Sequence, residues 1–141
     1  MLVNPFIDKV KISAGLVIIQ DNKILLLHPT NSKWFGTYSI PKGHVEYEDE
    51  NILETAIRET KEETGLNINT EDIESGPHLI TYINKKEVYK KIYYFIVRPT
   101  KRIEKQDLIL QQEEVNWGGF LTKSEAEKRI FHRLNKILDL L

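Results

Sequence analysis

The chain has 141 residues, 40% hydrophobic and 29% charged, with no Cys and a formal net charge of −1. That length suits one domain with its own core over residues 1–141, and the balanced charge argues against a general nucleic-acid or membrane footprint. The missing Cys excludes a disulfide scaffold and thiol chemistry, and the longest apolar run, Ala14 to Ile19 apart from Gly15, is too short to span a bilayer.

The opening MLVNPFIDKVKIS lacks the basic, apolar, small-residue order of a secretory signal, which predicts a soluble cytoplasmic domain. Ile12–Gln20 and Lys23–His28 are rich in Val, Ile and Leu and flank Asp21-Asn22, a hairpin turn. Trp34–Ile40 mixes aromatics with turn residues, and Pro41-Lys42-Gly43 should end any strand there. A polar loop from His44 to Glu50 precedes a helix at about Asn51 to Thr64, stopped by Gly65. Its apolar stripe is Leu53, Ala56 and Ile57, joined by Thr60. Ile73, Leu79–Ile83, Tyr89–Val97 and Val115–Leu121 read as strands. Thr122-Lys123-Ser124-Glu125 is a capping box opening a final helix, with Ile130, Leu134, Ile137, Leu138 and Leu141 on its apolar face. Strands mixed with two helices predict an α/β fold, a mixed β-sheet between helical layers.

Charge is polarised locally. Residues 46–63 carry eight acidic side chains against Arg58 and Lys61, and residues 85–105 carry eight basic ones against Glu87 and Glu104. At about 100° per residue, Glu59, Glu62 and Glu63 fall in an arc of roughly 100°, centred some 120° from the apolar stripe. They therefore sit beside the buried seam, where helix meets sheet. The pairs Glu59–Glu62 and Glu59–Glu63 each cost about 0.2–0.5 kcal/mol in an isolated helix, and acids near a helix C-terminus oppose the macrodipole. A divalent cation would relieve both costs. All-oxygen ligation suits a hard ion such as Mg²⁺, which polarises a phosphoryl oxygen and activates water, and a remaining carboxylate can take the water's proton.

At Gly43, Glu50, Arg58, Glu59, Glu62, Glu63, Gly65 and Leu66 the sequence resembles the Nudix hydrolase family. The spacing differs once: six residues separate Gly43 from Glu50 where the family has five, so Glu48 or Asp49 could take the place of Glu50. Thr60 stands where an aliphatic residue is usual. The resemblance implies an α/β/α sandwich and cleavage of a nucleoside diphosphate linked to another moiety, by water attack at phosphorus with Mg²⁺ or Mn²⁺. It implies that Glu59, Glu62 and Glu63 are metal ligands or proton acceptors, that the Gly43 carbonyl is a metal ligand, and that Arg58 orients a carboxylate. Many members add a glutamate six residues before a tryptophan. Counted back from Trp117 that position is Gln111, and Glu113 or Glu114 could substitute.

SIPKGHVE followed by RETKEETG resembles the asymmetrical diadenosine tetraphosphate hydrolase branch. That resemblance implies a dinucleoside polyphosphate as the substrate. Lys42 and His44 flank Gly43, where a cation can meet a phosphate, and the basic stretch from Lys85, with Lys90 as its substrate-binding candidate, suits a polyphosphate chain. On that strand Tyr94 shares a face with Ile92 and Ile96, and is taken as the residue that stacks on a base. Triphosphate housecleaning, ADP-ribose or nucleotide-sugar cleavage, a non-catalytic nucleotide-binding module, and a structural domain whose acidic and basic segments pair with each other remain open.

Overall fold

Asp21 and Asn22 both take positive φ, 54° and 57°, as a two-residue hairpin with right-handed strand twist requires. They join β1 (Lys11–Gln20) to β2 (Lys23–Pro29). In the computed structural model, which describes residues 10–141, the two strands pair only at Ile19–Ile24 and Gln20–Lys23 and then splay apart. The opening residues read above for a signal lie largely outside the described part.

The splayed gap is filled by residues 38–44. Ser39 bridges to Leu27 of β2, and Lys42–His44 form a short strand, β3, antiparallel to β1 at Ser13–Gly15. Pro41-Lys42-Gly43 therefore does not end a strand. Pro41 lacks a donor, but its carbonyl accepts from Leu16 N at 3.1 Å, and the chain continues into β3. Trp34–Ile40 contributes only isolated bridges. Gly15 permits this closure, because a Cβ there would collide with the Pro41 carbonyl and the Lys42 side chain.

β4 (Ile73–Asn84) and β5 (Glu87–Val97) form a long hairpin, joining into one strand the two segments read separately as Ile73 and Leu79–Ile83. β5 runs parallel to β1, and β6 (Val115–Leu121) pairs antiparallel with β2. The order β4-β5-β1-β2-β6, with β3 against β1, is a mixed sheet.

Alternation along β1 assigns the two cores. Ile12, Ala14, Leu16 and Ile18 join a cluster with Ile52 and Ala56 of α1 (Ile52–Thr64). Val17 and Ile19 join a second cluster with Ala126, Leu134, Ile137 and Leu138 at the C-terminal end. Helices thus cover both sheet faces, the expected α/β/α sandwich.

Asn51 caps α1 by accepting from Glu54 N at 2.9 Å, and Gly65 closes it at φ 77°. The buried stripe keeps Ala56 and Thr60 of the predicted one but not Leu53 and Ile57. Ile52, Thr55, Ala56, Thr60 and Thr64 are buried, and Leu53 and Ile57 are half-buried. The stripe is turned by about 50° toward the glutamates. Threonine makes this possible: Thr60 and Thr64 hydroxyls donate to the carbonyls of Ala56 (2.8 Å) and Thr60 (2.6 Å), so their methyls bury without an unpaired donor.

The final helix is shorter than its apolar face suggests. α2 (Lys123–Arg129) opens with the expected capping box, in which Glu125 N donates to Thr122 Oγ1 at 3.3 Å and Thr122 N to Glu125 Oε1 at 2.9 Å. Ile130 then turns extended to bridge Tyr38, and His132–Leu140 continue as a 3-10 segment. No helix among the described residues is long and apolar enough to cross a membrane.

Candidate active site

Turning the buried stripe of α1 carries Glu63 inward, because it falls between Ile52 and Ala56 around the helix. Its Oε1 accepts the Lys42 backbone N–H at 2.9 Å, joining α1 to β3. Burial, helped by nearby Glu59 and Glu114, outweighs this bond and the Lys42 charge, and pushes the Glu63 carboxyl up to about 7. Glu59 is also raised, chiefly by burial, against the attraction of Arg58. Glu62 is the most exposed of the three, with 49% of its side chain accessible against 15% for Glu59.

Arg58 organises this cluster. Its Nη1 donates to Glu59 at 3.0 Å and to Glu62 at 3.2 Å. On its other side it grips Asp49 with two bonds, Nε to Oδ1 at 3.1 Å and Nη2 to Oδ2 at 2.9 Å. Asp49 also accepts from Thr55 Oγ1 (2.7 Å) and Glu46 N (2.8 Å), and only 4% of its side chain is accessible. Burial would raise this carboxyl, but the bonds from Arg58, Thr55 and the Glu46 backbone outweigh it and hold it below the usual range. Among the three candidates for the first acidic position, the extra loop residue has brought Asp49 to Arg58, whereas Glu48 and Glu50 are exposed.

Gly43 lies against Glu59, and a Cβ at this position would overlap its carboxylate. Alternation along β3 turns Lys42 and His44 to the opposite face, in register with Gly15 and Ser13. β3 therefore runs between the carboxylates of α1 and the cations Lys42, His44 and Lys90. Two cavities adjoin it. The first, about 450 Å³, holds Gly43, Glu46, Glu59, Glu62, Glu63, Gln111 and Glu114 in its walls. The second, about 610 Å³, is walled by Lys11, Tyr82, Tyr89, Phe131 and Leu134. Lys42, His44 and Lys90 line both.

Lys90 stands opposite Tyr82 on β4 and Lys11 on β1. Burial, then Lys42 and Lys11, pull its ammonium down to about 8. Burial also lowers Lys42, against the pull of Glu63 and Glu59, and lowers His44, which the cations Lys90, Lys42 and Lys11 depress further. His44 Nδ1 lies 3.3 Å from Ser13 Oγ.

Of the residues singled out in sequence, Lys42, Gly43, His44, Glu59, Glu62, Glu63 and Lys90 line the first cavity, and Arg58 braces its carboxylates. Tyr94 does not join them. It has the face expected from its parity, but lies two rungs deeper, 8% exposed in the core beside His78. Tyr82 and Tyr89 occupy the cavity instead. Tyr89 escaped the parity argument because of a bulge: Tyr82 pairs with Lys90 and Ile83 with Val88, leaving Tyr89 as the extra residue. Gln111 and Glu114, but not Glu113, reach the first cavity.

The donors suit a hard divalent cation: three carboxylates and a glycine carbonyl beside a cradle that a Cβ would fill. In this arrangement Glu59 and Glu62 are turned to Arg58 and Glu63 to Lys42, and no three acidic or imidazole side chains among the described residues converge on one point. Arg58 and the Lys42 amide thus engage oxygens of the same carboxylates that would hold an ion.

Carboxylates of α1 and the cations Lys42, His44 and Lys90 thus meet around one cavity beside Gly43. Residues 9–141 match the NUDIX domain, and the chain belongs to this family, whose members include hydrolases of phosphoric anhydrides. Over 50 residues, 36% of this chain, it is 46% identical to an ADP-ribose pyrophosphatase of Methanocaldococcus jannaschii, and the match spans only 29% of that protein's length. The fold is similar to a MutT NUDIX hydrolase from Burkholderia pseudomallei, with a TM-score of 0.71, 15% identity and coverage of 94% of this chain and 98% of the other. It is also similar to the C. elegans Ap4A hydrolase in a binary complex, with a TM-score of 0.66, 26% identity and coverage of 92% and 93%.

Proposed function

We propose that this chain, acting as a single domain over residues 1–141, is a Mg²⁺- or Mn²⁺-dependent pyrophosphohydrolase. It cleaves a nucleoside diphosphate linked to another moiety by water attack at phosphorus, with a dinucleoside polyphosphate such as diadenosine tetraphosphate, cut to ATP and AMP, as the favoured substrate. The observation that carries this reading is the pair of adjoining cavities sharing Lys42, His44 and Lys90. One is walled by carboxylates, as a metal-bound phosphoryl group needs, and the other by aromatic rings, as a nucleobase needs. The likeness to the C. elegans Ap4A hydrolase supports the same substrate.

Glu59, Glu62, Glu63 and the Gly43 carbonyl are the proposed ligands, and the bound ion would polarise the phosphoryl oxygen and lower the pKa of a water. One of the three glutamates accepts the water's proton. Arg58, fixed by Asp49, offsets the like charges of Glu59 and Glu62 by donating to both. Lys42 and Lys90 face the phosphate oxygens with charge-assisted bonds, and His44 offers a neutral imidazole donor. Tyr82, Tyr89 and Phe131 take a base.

ADP-ribose is the second reading, favoured by the 46% identity over 50 residues to the ADP-ribose pyrophosphatase of Methanocaldococcus jannaschii. A purely structural pairing of the acidic and basic segments has no support, since no ion pair among the described residues joins 46–63 to 85–105. Rates with Mg²⁺ on diadenosine tetraphosphate, ADP-ribose and 8-oxo-dGTP decide among the substrates. The first should have the highest kcat/KM, and its being the poorest would overturn the choice. Nucleotide binding without turnover would instead identify a non-catalytic module.

A further inference from the structure

We infer that Arg133, on the C-terminal 3-10 segment, is a positioning residue for the aromatic wall that receives the nucleobase; this rests on the reading of the second cavity given above. Its guanidinium carbon lies 5.3 Å from the Tyr82 ring centroid and 5.6 Å from that of Tyr89, within cation–π range of both. Nη1 donates to the Ile83 carbonyl at 3.3 Å, beside the register shift that leaves Tyr89 unpaired. No ion pair among the described residues engages Arg133, so its charge is directed to these rings and this carbonyl.

The need for such a residue follows from the bulge. Tyr82 is 5% exposed and held on several sides, meeting Tyr89 at 6.0 Å and Phe131 at 5.9 Å, both edge to face. Tyr89 is 42% exposed and lacks a ladder partner. An aromatic side chain on an unpaired bulge must be ordered when a base stacks on it, and that ordering weakens binding. Arg133 spans Tyr82, Tyr89 and Ile83 at once, and so sets the ring of Tyr89 before the base arrives. The segment that closes one core of the sandwich thereby also shapes base recognition.

Steady-state kinetics on diadenosine tetraphosphate, with inorganic tetraphosphate as a base-free inhibitor, tests this in Arg133→Met, which keeps the aliphatic stem, and Arg133→Lys, which keeps a cation. Arg133→Met should raise KM about five- to tenfold with kcat within twofold and the inhibitor's Ki within twofold, and Arg133→Lys should recover most of the loss. An unchanged KM, or equal weakening of substrate and inorganic tetraphosphate, would overturn the inference. If the wild type hydrolyses no nucleotide, the hydrolase reading fails separately. Calorimetric AMP affinity then decides, since Arg133→Met must weaken it fivefold or more and an unchanged Kd would overturn the role of Arg133.

Discussion

Asp49 and Arg58 form a two-pronged ion pair, Nε to Oδ1 at 3.1 Å and Nη2 to Oδ2 at 2.9 Å, with 4% of the Asp49 side chain accessible. The pair fixes a guanidinium whose remaining nitrogen touches Glu59 and Glu62. Losing Asp49 leaves Arg58 without its anchor and Glu46 N without its acceptor, and leaves Thr55 Oγ1 only the Asn51 carbonyl at 3.4 Å. Asp49→Ala should cost about 2–3 kcal/mol in urea unfolding and lower kcat at least tenfold. Glu50→Gln, at an exposed position, should stay within about 0.5 kcal/mol. Because the folded Asp49 carboxyl is held low, its contribution is present above the unfolded value of about 3.9 and is lost as pH falls through the folded one.

Glu63 has the opposite linkage. Its carboxyl titrates at about 7 in the fold, against about 4.3 unfolded, so burial of the anion lowers stability as pH rises across that window. With EDTA present, Glu63→Gln should be more stable than the wild type by about 1–3 kcal/mol at pH 8 and should match it near pH 4. The glutamine Oε1 can still accept from Lys42 N. Thermal unfolding across pH checks this, and a wild type more stable than the variant at pH 8 would refute the burial argument. Turnover should be lost in the same variant.

The two glycines of the β1–β3 junction separate stability from catalysis. Gly15→Ala forces the Pro41 carbonyl and Lys42 away from β1, backbone that cannot swing aside, and should cost about 2–4 kcal/mol. Gly43→Ala meets only the Glu59 carboxylate, the movable end of a side chain. It should stay within about 1 kcal/mol of wild-type stability and lose at least a hundredfold in kcat. Chemical unfolding and turnover measured on both variants test the contrast.

Much of this was legible in the residues. The Asp21-Asn22 turn, the Gly65 helix stop, the Thr122 capping box and the Glu59–Glu63 arc are local signals, and local chemistry decides them. What escaped depends on tertiary context. Thr55 and Thr64 count as polar in a pattern, yet their burial with Ile52 rotates α1 and takes Glu63 inside. β3 exists only because β1 and β2 splay, and α2 ends where it does because Ile130 bridges Tyr38. The choice of Asp49 over Glu50 follows from one extra loop residue, and that of Tyr89 over Tyr94 from one bulge. Strand parity does not foretell a bulge.

Lys90 gives a pH signature on substrate affinity. Its ammonium, pulled down to about 8, loses charge as pH rises through that value in the free enzyme. With diadenosine tetraphosphate, kcat/KM should decline above pH 8, and Lys90→Met should be weaker throughout and lack that decline. A limb persisting unchanged in Lys90→Met would assign it to another group.

The most direct measurement is a crystal structure of the protein grown with Mn²⁺ and a non-hydrolysable dinucleoside tetraphosphate, read by anomalous scattering. An anomalous peak should be bonded to Glu59, Glu62 or Glu63 oxygens, with Glu59 or Glu62 turned away from Arg58 and the phosphate chain lying between that peak and Lys90. Manganese bound elsewhere, or these carboxylates still clasped to Arg58 and Lys42 with nucleotide in place, would contradict the account.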